Sequence, residues 1–327
     1  MAVPCVRVER AAGEETRELL ADADLVDQRH DIVAADGWLY IPVTDPAAVP
    51  DDLPVVERDV PRRETQTMPA DLLDFDPSYE RLGDIVIVDE DDPERASDLA
   101  DAIVASDLPV KTVLNRASKI RGETRVRQWD VLAGADTETV HREYGCAFAL
   151  DLAAVYFSPR LATERYRVTE QVEAGEQIVD MFAGVGPFAV PMAARGGEVV
   201  AVDINETAVE YLRENARRNG VAERVTAIND DIRAVAPGYE GWADRLVMNL
   251  PHSADEFLDA AVTMAGDQCL VHYYDISHED DRYGPGERAI RDAAEDAYHV
   301  AIETRRTVRS YAPHEYNVVL DARLTRR

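Results

Sequence analysis

The sequence predicts an α/β protein: an open, mostly parallel sheet covered on both faces at the C-terminal end, preceded by two smaller α+β domains. Three observations carry this expectation. From about Val168 short apolar runs alternate with helical patterns, which is the rhythm of βα units in series. A glycine-bearing turn, Asp180-Met-Phe-Ala-Gly-Val-Gly186-Pro, closes the first of those runs. A stretch rich in proline and charge separates the N-terminal segment from everything after it.

The elements follow in order. Val6–Val8 reads as a strand, Ala11–Ala23 as a helix and Gly37–Pro42 as a strand, giving a small N-terminal domain over residues 1–50. Residues 51–69 carry prolines and charges without apolar periodicity and read as a linker. A second unit, residues 70–167, has strand Asp84–Val88, helix Pro93–Ser106 and strand Lys111–Leu114, then continues to Tyr144–Val155. Residues 168–327 hold the parallel sheet, with runs at Ile178–Phe182, Val199–Val202, Val225–Ile228, Arg245–Met248 and Cys269–Tyr274. The helix Glu206–Arg218 places Val209, Leu212 and Ala216 on one face, and Gly220 stops it. Two last runs, His299–Val308 and Tyr316–Leu324, read as a closing antiparallel pair around Tyr311-Ala-Pro313.

Composition bounds the setting. The 327 residues carry 64 acids against 35 Lys and Arg, a formal charge of −29. Only Lys111 and Lys119 are lysines. Acids spread along a chain with apolar runs between them describe a surface hydrated in concentrated salt, where repulsion is screened within about 3 Å at 1 M. A halophilic origin is therefore expected, and the charge does not argue against a nucleic-acid partner. Cys5, Cys146 and Cys269 form no CxxC pair, so neither a disulfide framework nor a thiolate metal site is expected, and no histidine cluster suggests a metal. The N-terminus has no apolar signal core and no run approaches a membrane span, so a cytoplasmic protein is expected.

The glycine turn says where a ligand sits. Gly184 and Gly186 let the backbone turn tightly at a helix N-terminus, whereas Ala189 stands at the third position of a dinucleotide fingerprint. Asp203 ends the second strand and suits two ribose hydroxyls, whether of a methyl donor or of NAD. Asp231 follows the third strand, where a carboxylate can hold an adenine amino group or simply cap a helix. Asn249-Leu-Pro251 ends the fourth strand, where the amide can meet a planar base or merely begin a turn. Between Lys111 and Arg127 six residues are basic and only Glu123 is acidic, an island suited to phosphate: Lys111, Arg116, Lys119, Arg121, Arg125 and Arg127. Trp129, Tyr156, Tyr273 and Tyr274 are candidates to stack a flipped base, although each also suits a core.

These motifs, with Tyr156-Phe-Ser-Pro-Arg160-Leu-Ala-Thr-Glu164-Arg165, Gly122-Glu-Thr-Arg125, His272-Tyr-Tyr274 and Ser310-Tyr-Ala-Pro313, closely resemble the archaeal and eukaryotic tRNA (guanine-37, N1)-methyltransferase family over nearly the whole chain. The resemblance implies a Rossmann-like class I methyltransferase sheet, S-adenosyl-L-methionine as cofactor and tRNA as partner, with a monomer expected. It also implies that Arg160, Asp180, Phe182, Gly184, Gly186, Asp203, Ile204, Asp231 and Asn249 hold the cofactor. Glu164 would act as general base, Arg125 would stabilise charge on O6 and Asn249 would orient the base. Arg165 would join the basic island on RNA. Alternatives remain: aminocarboxypropyl transfer or tricyclic-guanosine methylation in the same superfamily, an NAD-dependent oxidoreductase, or a non-catalytic RNA-binding protein.

Overall fold

A computed structural model describes residues 2–63, 66–117 and 127–327. The chain forms two compact units, residues 1–72 and 73–327.

The first unit is a four-stranded sheet with one helix. Strand β1 (Ala2–Glu9) leads into helix α1 (Gly13–Asp22), then come β2 (Val33–Ala35), β3 (Trp38–Pro42) and β4 (Val55–Asp59), in spatial order β2-β3-β1-β4. The strand β4 corrects the expectation that residues 51–69 are a linker. It pairs antiparallel with β1 from Ala2 opposite Asp59 to Val6 opposite Val55. An edge strand needs only one bond-forming side and one half-hidden face. Val55-Val-Glu-Arg-Asp59 therefore looks solvated in sequence, and Pro54 and Pro61 sit just outside it.

The second unit opens with a sheet of β5 (Tyr79–Leu82), β6 (Ile85–Val88), β7 (Thr112–Arg116) and β8 (Trp129–Ala133) in sequential order. Helix α2 (Pro93–Ala105) makes the crossover between the parallel pair β6 and β7. It starts where the Asp92 carboxylate accepts the Glu94 amide, with proline at the first helical position. A hairpin follows, β9 (Glu138–Glu143) and β10 (Cys146–Asp151), then helix α3 (Ala162–Thr169).

The large sheet contains β11 (Gln177–Asp180), β12 (Glu198–Asp203), β13 (Val225–Asn229), β14 (Ala243–Met248), β15 (Ala265–His278), β16 (Tyr298–Ala312) and β17 (Glu315–Arg326). Their order is β13-β12-β11-β14-β15-β17-β16, with β17 antiparallel to both neighbours. Helices α4 (Ala189–Ala194), α5 (Glu206–Arg218), α6 (Ile232–Val235), α7 (Leu258–Met264) and α8 (Gly284–Ala294) lie between the strands in sequence. Alternate strand residues feed two cores. Ile178, Val199 and Ala201 pack with α4, α5 and β10, while Val179, Val200 and Val202 pack with α7 and α8.

The expected boundary at 167/168 gives way to one unit, because α5 is bonded to the hairpin. The Asn215 side chain accepts the Ala149 amide at 2.7 Å and donates to the carbonyls of Ala149 and Val185 at 3.0 and 2.9 Å. Asn219 repeats the pattern on Ala147. Asn215 is fully buried, so no water replaces these bonds. Asn215→Ala is expected to lower unfolding stability by about 2–4 kcal/mol, read from denaturant midpoints in molar KCl, since the orphaned backbone groups stay buried.

Candidate active site

The candidate site lies at the carboxyl edge of the large sheet, where β11 has β12 on one side and β14 on the other. Ligands bind at such a switch point because the loops diverge there and leave a crevice. Asp180 ends β11 level with Val247 of β14, so the glycine turn begins beside the strand that releases Asn249.

The turn is built for close approach. Gly186 has φ +90°, and a Cβ there would stand 2.5 Å from Leu212 Cδ1. Only glycine combines that backbone with that packing. The Gly184 amide donates to Asp203 Oδ2 at 2.7 Å, and the Asn205 amide to Oδ1 at 2.9 Å. Each Asp203 oxygen therefore keeps a lone pair for a further donor. Ile204, next along, is exposed. Phe182 is half-buried and meets Phe257 edge-on, with ring centroids 5.0 Å apart.

Asp180 is 1% exposed, and neither carboxylate oxygen has a well-formed hydrogen bond. Burial pushes its pKa up to about 7, and the nearby Asp203 adds to the rise. The amides of Phe182 and Ala189, at looser geometry, act against it. Burial also raises Asp203. Asp231 caps α6 by accepting the Arg233 amide at 2.8 Å, and Arg233 Nη2 bonds it again at 2.5 Å. An adenine amino group would have to share that carboxylate with Arg233.

Glu164 stands on α3, 3% exposed. It pairs with neither neighbouring Arg160 nor Arg165. Tyr274 Oη donates to its Oε1 at 2.9 Å, and Arg167 reaches the same oxygen from Nη2 at 2.7 Å. Arg306 Nε lies 3.5 Å from Oε2. Arg167 also forks onto Asp321 at 2.7 and 3.1 Å. Asp321 accepts His272 Nδ1 at 2.6 Å, and His272 Nε2 meets Arg245 Nη1 at 2.7 Å. Arg245 finally donates to Glu176 at 2.8 Å. Sheet register delivers this chain: His272 lies directly opposite Asp321, and Met248 opposite Tyr273, so Asn249 leaves the sheet beside Tyr274.

Several expected RNA contacts take other roles. Arg165 is 3% exposed and bonds both oxygens of Glu143 at 2.6 Å, so it braces α3 against the hairpin instead of facing RNA. Arg116 is shared by Glu80 and Asp89, at 3.0 and 2.7 Å. Arg160, expected at the cofactor, pairs with the same Glu80. Lys111 is half-exposed and pairs with Asp136 at 2.6 Å, and Arg127 lies over the Trp129 ring at 5.6 Å. Tyr273 and Tyr274 are buried and offer no stacking face, while the Trp129 indole donates to the Leu152 carbonyl. Arg125, Lys119 and Arg121 lie outside the described residues. A cavity of about 840 Å³ between the hairpin and α5, walled by Arg81, Lys111, His141 and Arg218, contains none of the switch-point residues.

The sequence reading missed Arg167, Asp321 and Arg245. A partial signal existed, because His272 interrupts the run Cys269–Tyr274 and Asp321 follows the run Val318–Leu320, each an ionisable residue inside a strand of mostly buried positions.

A seven-stranded sheet of this order, with a glycine turn and buried acids at its switch point, defines a class I methyltransferase fold. Residues 139–303 match the TRM5/TYW2 methyltransferase domain, residues 5–51 the tRNA methyltransferase 5 N-terminal domain and residues 65–137 the TYW2 N-terminal domain. The protein belongs to the TRM5/TYW2 methyltransferase family. It is 39% identical to the tRNA (guanine(37)-N(1))-methyltransferase Trm5b of Pyrococcus abyssi over 98% of each chain. The crystal structure of that Trm5b superposes with a TM-score of 0.76 at 36% identity, covering 99% of each chain. The complex of aTrm5 and tRNALeu gives 0.74 at 29% identity, covering 98% of this chain and 99% of that one. TYW2 of Methanocaldococcus jannaschii with AdoMet gives 0.62 at 30% identity, covering 76% of this chain and all of that one.

A buried acid whose folded pKa exceeds its unfolded value of 3.8 adds stability that is full below about pH 4 and lost as pH rises through about 7. Asp180 should therefore lower the unfolding free energy of the protein without ligand across that window, and Asp180→Asn should make the pH slope there less negative than in the wild type. An unchanged slope would remove Asp180 as its source.

Proposed function

We propose that the protein transfers the methyl group of S-adenosyl-L-methionine to N1 of the guanosine at tRNA position 37, with Glu164 as the general base. The observation that carries this reading is the buried Glu164 carboxylate, fixed by Tyr274 and Arg167 beside the strand that releases Asn249. The full-length similarity to Trm5b supports it. The TYW2 likeness, favouring aminocarboxypropyl transfer, leaves about a quarter of this chain unmatched.

The switch point fits the cofactor. Asp180 is a buried acid without a well-formed donor, the Gly186 turn lets a ligand come close, and Asp203 keeps one lone pair on each oxygen for vicinal hydroxyls. Exposed Ile204, with Phe182, supplies apolar surface for an adenine. When bound, the cofactor supplies a methyl group on a sulfonium, an electrophilic carbon with a neutral thioether as leaving group.

The chain's own residues supply the rest. Guanine N1 carries a proton at neutral pH, so its electron pair is not free. Glu164 takes that proton; the N–H bonding pair stays on N1 and becomes the nucleophile, while negative charge spreads to O6. A positioned base of this kind is worth roughly 100- to 10,000-fold. Arg125 is assigned to O6 as the charge-stabilising donor, and Asn249 to the base edge as the orienting amide. Lys111 and Arg127, with Lys119 and Arg121 of the same basic island, are assigned to phosphate, and the N-terminal unit to the tRNA body. A cytoplasmic monomer acting on tRNA belongs to the same reading; no helix among the described residues is long and apolar enough to cross a membrane.

The test is methyl transfer from labelled cofactor to transcripts with guanosine or adenosine at position 37, in molar KCl. Only the guanosine transcript should be labelled, and equal labelling would overturn the assignment. Glu164→Gln should cut the single-turnover rate by roughly 100- to 10,000-fold while sparing tRNA binding.

A further inference from the structure

The Arg167 guanidinium serves two buried carboxylates at once. Nη2 and Nε bond Glu164 at 2.7 to 3.1 Å, and Nη1 and Nη2 bond Asp321 at 2.7 and 3.1 Å. A guanidinium given wholly to one carboxylate favours its ionised form and makes it a weaker proton acceptor. A general base clamped that way would be well oriented but reluctant. Sharing the cation relieves the reluctance without losing the orientation.

Asp321 is itself held in place. Arginine only donates, so Arg245 Nη1 at 2.7 Å obliges His272 Nε2 to accept, and the His272 proton sits on Nδ1, facing Asp321 at 2.6 Å. Burial pushes the His272 pKa down, in keeping with a neutral ring, although Asp321 pulls the other way. Arg245 is fixed by Glu176 and by the Gln171 carbonyl. An ordered line of side chains thus runs from Glu176 across three strands to Glu164. The groups facing Glu164 are Arg167 from α3, Tyr274 from β15 and Arg306 from β16, with Asp321 of β17 behind Arg167. When Glu164 becomes neutral by taking a proton, Arg167 still faces Asp321, so no buried cation is left uncompensated.

We propose that Asp321, oriented by His272, is a positioning residue for the reaction: it divides Arg167 between two carboxylates and so keeps Glu164 both aimed and ready to accept a proton. This rests on the assignment of Glu164 as the base.

The experiment is single-turnover methyl transfer to tRNA as a function of pH, in molar KCl, with tRNA and cofactor affinities measured alongside. Asp321→Asn keeps the shape and a hydrogen bond to His272 but releases Arg167 to Glu164. Its plateau rate should fall about 10-fold or more, and the acid limb should move to lower pH by about one unit, with both affinities unchanged. Arg167→Lys keeps a charge but loses the fork, and its acid limb should move the opposite way. A wild-type profile for Asp321→Asn would overturn the proposal, as would a slower rate with an unmoved limb, which marks mere loss of packing. Should Asp321→Asn fail to fold, His272→Gln, which removes the group that orients Asp321, decides: a limb moved to lower pH supports the proposal, an unmoved limb overturns it. Glu164→Gln separates the two readings. Wild-type transfer by that variant removes Glu164 as base; an inactive Glu164→Gln beside an unaffected Asp321→Asn removes only the role of Asp321.

Discussion

The constraint on which this site depends is that a buried charge without a partner is costly. Glu164, Asp321 and Arg245 are all nearly inaccessible, and an isolated ion at that depth would cost several kcal/mol. The structure meets the cost with a chain of alternating sign: Glu176, Arg245, neutral His272, Asp321, Arg167, Glu164. Each member fixes the geometry of the next. Orientation of the candidate base is therefore a property of the sheet, since three of the six members stand on strands whose register is set by backbone bonds.

A second pair of acids has the opposite character. Asp180 and Asp203 face the glycine turn with few compensating cations, and burial raises the pKa of both. Acidity held under tension suits a cationic ligand, which would satisfy the charge that the protein leaves unpaired. The protein thus carries an ion network whose members neutralise one another and, at the carboxyl edge of the large sheet, an acidic pair still open. The first suits a group that must stay aimed, the second a place that must be filled.

The basic island illustrates how an acid-rich surface consumes cations. Arg116, Arg160 and Lys111 each have carboxylate partners, and Arg165 is wholly internal. An exposed pair such as Lys111–Asp136 is worth about 0–1 kcal/mol and is screened further in salt. A polyphosphate can displace that pair at small cost, whereas the buried Arg165–Glu143 pair is a structural brace.

Much was legible in the sequence because it depends on local order. The βα rhythm gave the parallel sheet, the glycine turn gave its switch point, and Asp203, Ile204 and Asn249 fall at strand ends because strand ends are where apolar runs stop. The edge strand Val55–Asp59 was not legible, since a strand with one covered side has no continuous apolar run. Nor could the sequence distinguish Arg165 from Arg167, two residues apart on one helix. Their partners, Glu143 and Asp321, lie 22 and 154 positions away, and only the folded sheet decides which arginine braces the hairpin and which one holds Glu164. Residue types and their spacing determined that a carboxylate, a glycine turn and an amide would share this edge. Which charges neutralise one another was decided by tertiary structure, because charge compensation in a low-dielectric interior depends on distance through space and not along the chain.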